Sequence, residues 1–462
     1  MFLEDTIAAI STPLGIGAVC MVRISGKDSI SIADKIFNGR VKPSVAESHS
    51  IHFGYLIDPE NTEKIDSVLL SVMRSPKSYT GFDSVEISCH GGIVNTKKVL
   101  DLVLSQGARL AEPGEFTKLA YLNGKIDLSQ VEAIADLIHA KTEGARKASM
   151  SQFTGNLRNE VSNLRNQLIQ LCSLLEIDLD FAEENLLIID TMKIKDQLYA
   201  VENQIKKLLS TYNTGHIIRE GARVSILGKP NVGKSSLMNA MLQKDRAIVS
   251  HLPGTTRDYI EETIDINGIP FTFVDTAGIR DTKDDIEIHG IHFSKEIIHS
   301  SDLIIAMFDI SSPLDADDDR VKNIIHDAVL QNETVKTIYV GNKTDLGEFD
   351  RSKFVSDIGS DFIKISAKSQ SGIDKLKTKI GVLFNSNVSF SSPMISRLRH
   401  KIALEKSLSS LEIAKKSLAD NLSFEFVALD IHNAIQALAE IVGDVSSDDV
   451  LKNIFSNFCI GK

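Results

Sequence analysis

Cysteine is scarce in this 462-residue chain. Cys20, Cys89, Cys172 and Cys459 stand far apart, and no Cys-x-x-Cys spacing occurs. A zinc site or a disulfide framework is therefore disfavoured, and a reducing cytoplasm fits. No apolar run approaches the roughly 20 residues that a membrane-spanning helix needs, so no membrane association is expected. Near the start stand Glu4 and Asp5 and no basic cluster, so neither a signal nor a transit peptide is expected. Positive charge is also short: 51 Lys and Arg face 62 Asp and Glu, a net charge of −11. That balance argues against a broad basic footprint for nucleic acid but leaves room for a local basic patch. What remains, 42% hydrophobic and 24% charged residues, is the composition of a globular protein, long enough for about two to four domains.

Three textures alternate along the chain. Residues 1–123 mix short Val- and Ile-rich strands (Thr6 to Ile10, Gly17 to Ile24, Ser67 to Met73, Ser84 to Cys89) with a helix over Ile93 to Leu104, an α+β pattern. Residues 124–218 read as long helices: Val131, Ile134, Ala135, Ile138; then Leu157, Val161, Leu164, Leu168, Leu171, Leu175; then Leu198, Val201, Ile205, Leu208 keep helical stripes. Residues 219–383 alternate strand, loop and helix. Helical stripes resume over 384–462, with Leu398, Ile402, Leu408, Leu411, Leu418 and Val427, Ile431, Ala434, Leu438, Ile441. Two half-bundles flanking an α/β segment predict an inserted domain emerging from one helical bundle, with Asn385 to Ser392 as the return linker. The fold class expected is multidomain α/β.

The most informative stretch is Gly228-Lys229-Pro230-Asn231-Val232-Gly233-Lys234-Ser235, a match to G-x-x-x-x-G-K-[ST]. Glycines let successive N–H groups point at phosphate oxygens, Lys234 places charge on the β and γ phosphates, and the Ser235 hydroxyl can ligate Mg²⁺. The cradle is expected from Asn231, Val232, Gly233, Lys234, Ser235 and Ser236. An apolar strand pattern, Arg223 to Leu227, precedes the loop, and a helix from Ser236 onward follows it, as the motif requires.

Further motifs follow in order, most of them at the end of a predicted strand. Pro253-Gly254-Thr255-Thr256-Arg257-Asp258 supplies a threonine hydroxyl for Mg²⁺, with Thr256 as the ligand. Phe271 to Val274 leads into Asp275-Thr276-Ala277-Gly278, where Asp275 can hold the Mg²⁺ water shell and the Gly278 N–H can sense the γ-phosphate. Thr337 to Gly341 leads into Asn342-Lys343-Thr344-Asp345, whose Asp345 carboxylate accepts from the guanine ring N–H and amine, a donor pair adenine lacks. Ile363 to Ile365 leads into Ser366-Ala367-Lys368, where a backbone N–H can meet the guanine carbonyl. The order of the set points to GTP. After Gly278 stands Ile279, which cannot orient a water, so a neighbour among Arg280, Asp281, Asp284, Asp285 and Glu287 must. Asn231 offers a carbonyl oxygen near the β–γ bridge, where a monovalent cation could do the work of an arginine; a capping asparagine is the equal alternative.

The chain resembles the bacterial MnmE (TrmE) tRNA modification GTPases over its full length. The resemblance rests on Val22-Arg23-Ile24-Ser25-Gly26, on Pro113-Gly114-Glu115-Phe116-Thr117 through Leu122-Asn123-Gly124-Lys125-Ile126-Asp127-Leu128, on the GTPase signature, and on Phe458-Cys459-Ile460-Gly461-Lys462. It implies an N-terminal folate-binding-like domain that forms a homodimer, with a 5-formyl-tetrahydrofolate site at Arg23, Glu86, Lys125 and Lys462. It implies K⁺-stimulated hydrolysis, with K⁺ at Asn231, Ser250, Leu252 and Thr255 and Glu287 orienting the water. Ser250 stands where the better-known member has Thr; a hydroxyl and a carbonyl remain, so the cation site is expected to survive. A flavin-dependent partner protein in a heterotetramer or larger, and tRNA, are the implied partners. The implied product is a substituted aminomethyl group on C5 of the wobble uridine. Catalytic roles are expected of Glu287, Lys234, Asn231 and Cys459. The tail is not a prenylation box, because Gly461 is not aliphatic and Lys462 is not an accepted last residue. Cys459 could be a reactive thiol helped by Lys462, or part of a tail that docks near the folate. A GTP-gated regulatory switch or assembly factor is the competing class; it would need neither the folate-like domain nor this tail.

Overall fold

The computed structural model describes residues 5–180, 191–245, 261–274, 301–331, 334–347, 349, 362–384, 389–444, 448–456 and 458–462. In chain order come β1 (Ile7–Ile10), β2 (Val19–Ser25), α1 (Ser29–Ile36), β3 (Phe37–Gly39), β4 (Ser50–Ile57), β5 (Lys64–Met73), β6 (Ser84–His90), α2 (Ile93–Ser105), β7 (Arg109–Leu110) and α3 (Glu115–Leu122). Five helices follow: α4 (Leu128–His139), α5 (Glu143–Phe153), α6 (Asn156–Asp180), α7 (Thr191–Leu209) and α8 (Tyr212–Glu220). Next are β8 (Ala222–Leu227), α9 (Lys234–Asp245), β9 (Glu261–Ile266), β10 (Ile269–Val274), β11 (Leu303–Asp309), α10 (Ala316–Gln331), β12 (Lys336–Asn342), β13 (Ile363–Lys364) and α11 (Ile373–Leu383). The chain closes with α12 (Leu398–Ala419), α13 (Phe424–Val442) and α14 (Asp448–Ser456). It divides into two compact units, Met1–Ala135 with Ile435–Lys462, and Asp136–Ala434.

The first unit is built on a seven-stranded sheet of order β3-β4-β5-β6-β2-β1-β7. It is antiparallel except for the β1–β7 pair. Strand residues alternate faces. Val22, Ile24, Leu70, Val72, Val85 and Ile87 are buried and pack with Ile32, Ile36, Val99 and Val103 of α1 and α2. The register places Arg23 opposite Glu86 and Phe53 opposite Leu69 on the other face. The C-terminal tail belongs to this unit: Phe455 and Phe458 are buried, and the Ser11 hydroxyl donates to the Gly461 carbonyl at 3.0 Å. Gly461 has φ of 96°, and a Cβ there would stand 2.2 Å from the Ile10 carbonyl oxygen, so only glycine lets the tail lie this close.

In the second unit a six-stranded sheet runs β13-β12-β11-β8-β10-β9, parallel except for the β9–β10 hairpin. Every residue of β11 is buried, as a central parallel strand covered on both faces requires. Ile305 and Met307 join one core with α9 and α11, while Ile304, Ala306 and Phe308 join another with α10. The helical part packs α12 along α7 and α7 on α6. On α12 the expected stripe is partly off the core: Leu398 and Ile402 are exposed, and the buried face is His400, Ala403, Leu404, Ser407, Leu408, Leu411 and Ala414. Small side chains let the helices approach, so size and hydrophobicity alone misplace the face. The hairpin tip meets the bundle at α5. Thr142 caps α5 by accepting from the Ala145 N–H at 3.2 Å and donates to the Gly268 carbonyl at 2.7 Å.

Candidate functional site

The phosphate loop joins the end of β8 to the start of α9, the strand–loop–helix setting read from the sequence. The Lys234 ammonium donates to the Gly228 and Lys229 carbonyls at 2.8 and 3.1 Å. Asn231 holds φ of 60°, a left-handed conformation that asparagine tolerates better than most residues. Asn231, Ser235 and Ser236 are exposed, and Val232 is buried beneath the loop.

Two distant motifs converge on this loop. The Asn342 amide donates to the Val232 carbonyl at 2.8 Å, and its own carbonyl accepts from the Ala367 N–H at 2.9 Å. One buried side chain thus ties the phosphate loop, the end of β12 and the Ser366-Ala367-Lys368 turn together. The Ser366 hydroxyl donates to Asp345 Oδ1 at 2.7 Å, fixing the plane of an exposed carboxylate. Lys343, at φ of 71°, pairs with Asp309 at 2.6 Å. Burial works against the Asp309 charge, but hydrogen bonds from Lys343 and Ser311 hold its carboxyl below the usual range. No motif includes Asp309, although it ends the apolar run of β11 at the level where the other strands end in motifs. Lys368 is exposed. Ser250, Leu252, Thr255, Thr256, Asp275, Thr276, Ala277, Gly278 and Glu287 lie outside the described residues. Serine oxygen at the first turn of α9 suits Mg²⁺, a hard cation that takes oxygen ligands; among the described residues no cluster of His, Cys, Asp and Glu offers a rival metal site.

In the first unit, Arg23 pairs with Glu86 through Nε and Nη2 at 2.9 and 2.8 Å. The guanidinium lies 5.5 Å from the ring centroids of both Tyr79 and Phe116, a cation–π contact with each. Tyr79 is set by a 2.9 Å hydrogen bond between its hydroxyl and that of Thr117, and burial pushes its phenol up. Lys462 is within electrostatic range of this pair: burial lowers its ammonium pKa, and repulsion from Arg23 lowers it further, against opposing pulls from Cys459 and Glu86. Lys125 donates to the Pro76 carbonyl at 2.7 Å, on the loop that also supplies Tyr79. Neither Tyr79 nor Phe116 carries a site signal of its own in the sequence, though Phe116 sits within Pro113 to Thr117. Cys459 is exposed, while Cys20, Cys89 and Cys172 are buried.

Known proteins match this chain along its whole length. Residues 128–459 match the profile of the MnmE helical domain, and residues 6–125 match that of the GTP-binding protein TrmE N-terminus. A tRNA modification GTPase MnmE of Carboxydothermus hydrogenoformans is 42% identical over 467 residues, covering all of both chains. Proteins of the same name from Alkaliphilus oremlandii and Clostridioides difficile are 43% and 42% identical over 468 residues, again covering all of both chains. Matches of this breadth leave one conclusion: the chain belongs to the MnmE (TrmE) family of tRNA modification GTPases.

Proposed function

We propose that this protein hydrolyses GTP with Mg²⁺ and K⁺, and that turnover drives formation of an aminomethyl-type group on C5 of the tRNA wobble uridine from a tetrahydrofolate one-carbon unit. The observation that carries the nucleotide reading is Asn342, which ties the phosphate loop to the Ala367 turn while Ser366 orients Asp345. Backbone N–H groups of Asn231 to Ser236 and the Lys234 ammonium hold the phosphates. Ser235 and Thr256 would hold Mg²⁺, which supplies charge neutralisation on the phosphate oxygens. Asn231, Ser250, Leu252 and Thr255 would hold K⁺. Glu287 orients the attacking water in place of the aliphatic Ile279. Hydrolysis should be faster in K⁺ than in Na⁺ at equal ionic strength, and Asn231→Ala should abolish the difference. Equal rates of phosphate release in the two salts at saturating GTP refute the cation reading.

The folate reading is supported by charge and packing. Arg23 and Lys462 exceed Glu86 by one positive charge, which suits a carboxylate tail. The sheet face that bears Arg23 and Glu86 also exposes Val19, Ile51, Phe53 and Leu69. An apolar face of this kind marks an interaction surface, here assigned to a second copy in a homodimer. A flavin-dependent protein and tRNA complete the assembly, a part of the proposal that rests on family likeness. Calorimetry with 5-formyl-tetrahydrofolate should detect binding that Arg23→Ala weakens about tenfold, the size of one charge-assisted hydrogen bond. The Lys462 ammonium is depressed in the folded chain, and a ligand carboxylate favours its charged form. Binding should therefore take up protons, and affinity should fall as pH rises through the lysine's lowered pKa. Binding heats that are independent of buffer ionisation enthalpy at alkaline pH count against Lys462 as a ligand.

A further inference from the structure

Lys229 is a phosphate-loop residue to which the nucleotide motif assigns no task. Its ammonium lies 2.8 Å from Asp315 Oδ2 and 2.8 Å from Asp318 Oδ2. The two acids belong to the start of α10, far along the chain. They already satisfy the helix end between themselves: Asp315 Oδ1 accepts from the Asp317 and Asp318 N–H groups at 3.1 and 3.2 Å, and Asp318 Oδ2 accepts from the Asp315 N–H at 3.1 Å. This is a reciprocal cap, and it does not need the lysine. Asp318 is 1% exposed, and its Oδ1 has no hydrogen-bond partner among the described residues. The Lys229 side chain is itself mostly buried, at 13% exposure. The lysine therefore neutralises a buried carboxylate, and its position is dictated by that carboxylate.

The loop transmits that position. Pro230 follows Lys229 and confines its backbone to extended conformations. The next residue, Asn231, is left-handed. Beyond it, Asn342 holds the Val232 carbonyl. Lys229 and Asn342 thus grip the loop on either side of Pro230–Asn231. We propose that Lys229 is a positioning residue: its pairing with the α10 cap sets the Pro230–Asn231 backbone against the phosphates, and through it α10 tunes nucleotide affinity. Lys229 is committed to the acids and does not itself neutralise phosphate. Burial disfavours its charge, but the hydrogen bonds it donates to Asp315 and Asp318 outweigh that and raise its pKa, so it stays an ammonium at neutral pH.

The test measures dissociation of a fluorescent GDP analogue from the full-length protein and its Lys229→Met, Lys229→Arg and Asp318→Asn variants, with melting temperatures in parallel. A displaced cradle should release GDP about tenfold faster in Lys229→Met and Asp318→Asn, since small misplacements are costly in pre-organised sites. Lys229→Arg should release GDP at the wild-type rate. Lower melting temperatures with unchanged GDP release in both variants overturn the proposal, because the pair would then be structural only. Faster release in Lys229→Met with unchanged or slower release in Asp318→Asn also overturns it, because Lys229 would then act on phosphate directly. Should Lys229→Met fail to fold, Asp318→Asn decides. Wild-type protein that binds no GDP would instead refute the nucleotide site.

Discussion

Asp345→Asn should weaken GTP binding by about 30- to 150-fold, on the order of 2–3 kcal/mol, the worth of a pair of charge-assisted hydrogen bonds. The structure makes the expectation sharper than a lost charge. Ser366 donates to Asp345 Oδ1. In the variant the amide oxygen keeps that bond, because an NH₂ group cannot accept it. The NH₂ then takes the place of Oδ2 and turns a donor toward the base. Guanine presents donors there, whereas xanthine presents a carbonyl at C2. Preference should therefore move from GTP toward xanthosine triphosphate. A titration in which the variant keeps its GTP affinity, or gains nothing for the xanthine nucleotide, removes Asp345 from the base site.

Gly144→Ala should be among the most destabilising single substitutions in the second unit. A Cβ at Gly144 would lie 2.2 Å from the Gly268 carbonyl oxygen and 2.8 Å from its carbon. Both obstacles are backbone, and Gly268 has φ of 87°, so the hairpin tip cannot give way by rotating a side chain. Its carbonyl is also the acceptor for Thr142, and its N–H is held by Asp265 Oδ1 at 2.6 Å. Overpacking of a well-packed contact costs about 1–3 kcal/mol, and rigid neighbours put this case at the upper end. The denaturant midpoint should fall clearly below that of Lys147→Ala, an exposed change on the same helix. Equal midpoints would show that the tip is not docked on α5. The hairpin links Thr256 and Asp275 in sequence, so hydrolysis and tRNA modification deserve measurement in the same variant.

Part of this architecture is legible residue by residue. Lys234, Ser235, Asn342 and Ser366 follow short strands, and each motif depends on local backbone chemistry that a few residues specify. Strands β5 and β6 show aliphatic residues at alternate positions (Val68, Leu70, Val72; Val85, Ile87), and α6 and α7 keep aliphatic stripes at helical spacing, so period alone identifies them. Strand β4 is harder: Ile51, Phe53 and Tyr55 point away from the packed core, so the alternation is inverted relative to a half-buried strand. On α12 the packed face is lined by Ala403, Ser407 and Ala414, residues that carry no hydrophobic signal. Asp309 and Tyr79 follow the same rule, since what marks them is what they touch, Lys343 and Arg23.

The sequence by itself determined the nucleotide, the order of strand, loop and helix in the GTPase segment, and the family, because phosphate cradles and base-reading loops are made from contiguous residues. Tertiary structure alone decided the pairs that sequence distance conceals. Arg23 meets Glu86 because two antiparallel strands share a register. Lys462 comes within electrostatic range of Arg23 because Gly461 lets the tail lie against β1. Lys229 meets Asp318 because β8 and β11 are neighbours, which brings the loop after one strand beside the helix after the other. Charge juxtapositions of this kind have no period and no local signature. They exist only once hydrophobic burial has brought the elements together, and their strength then depends on the water that burial has removed.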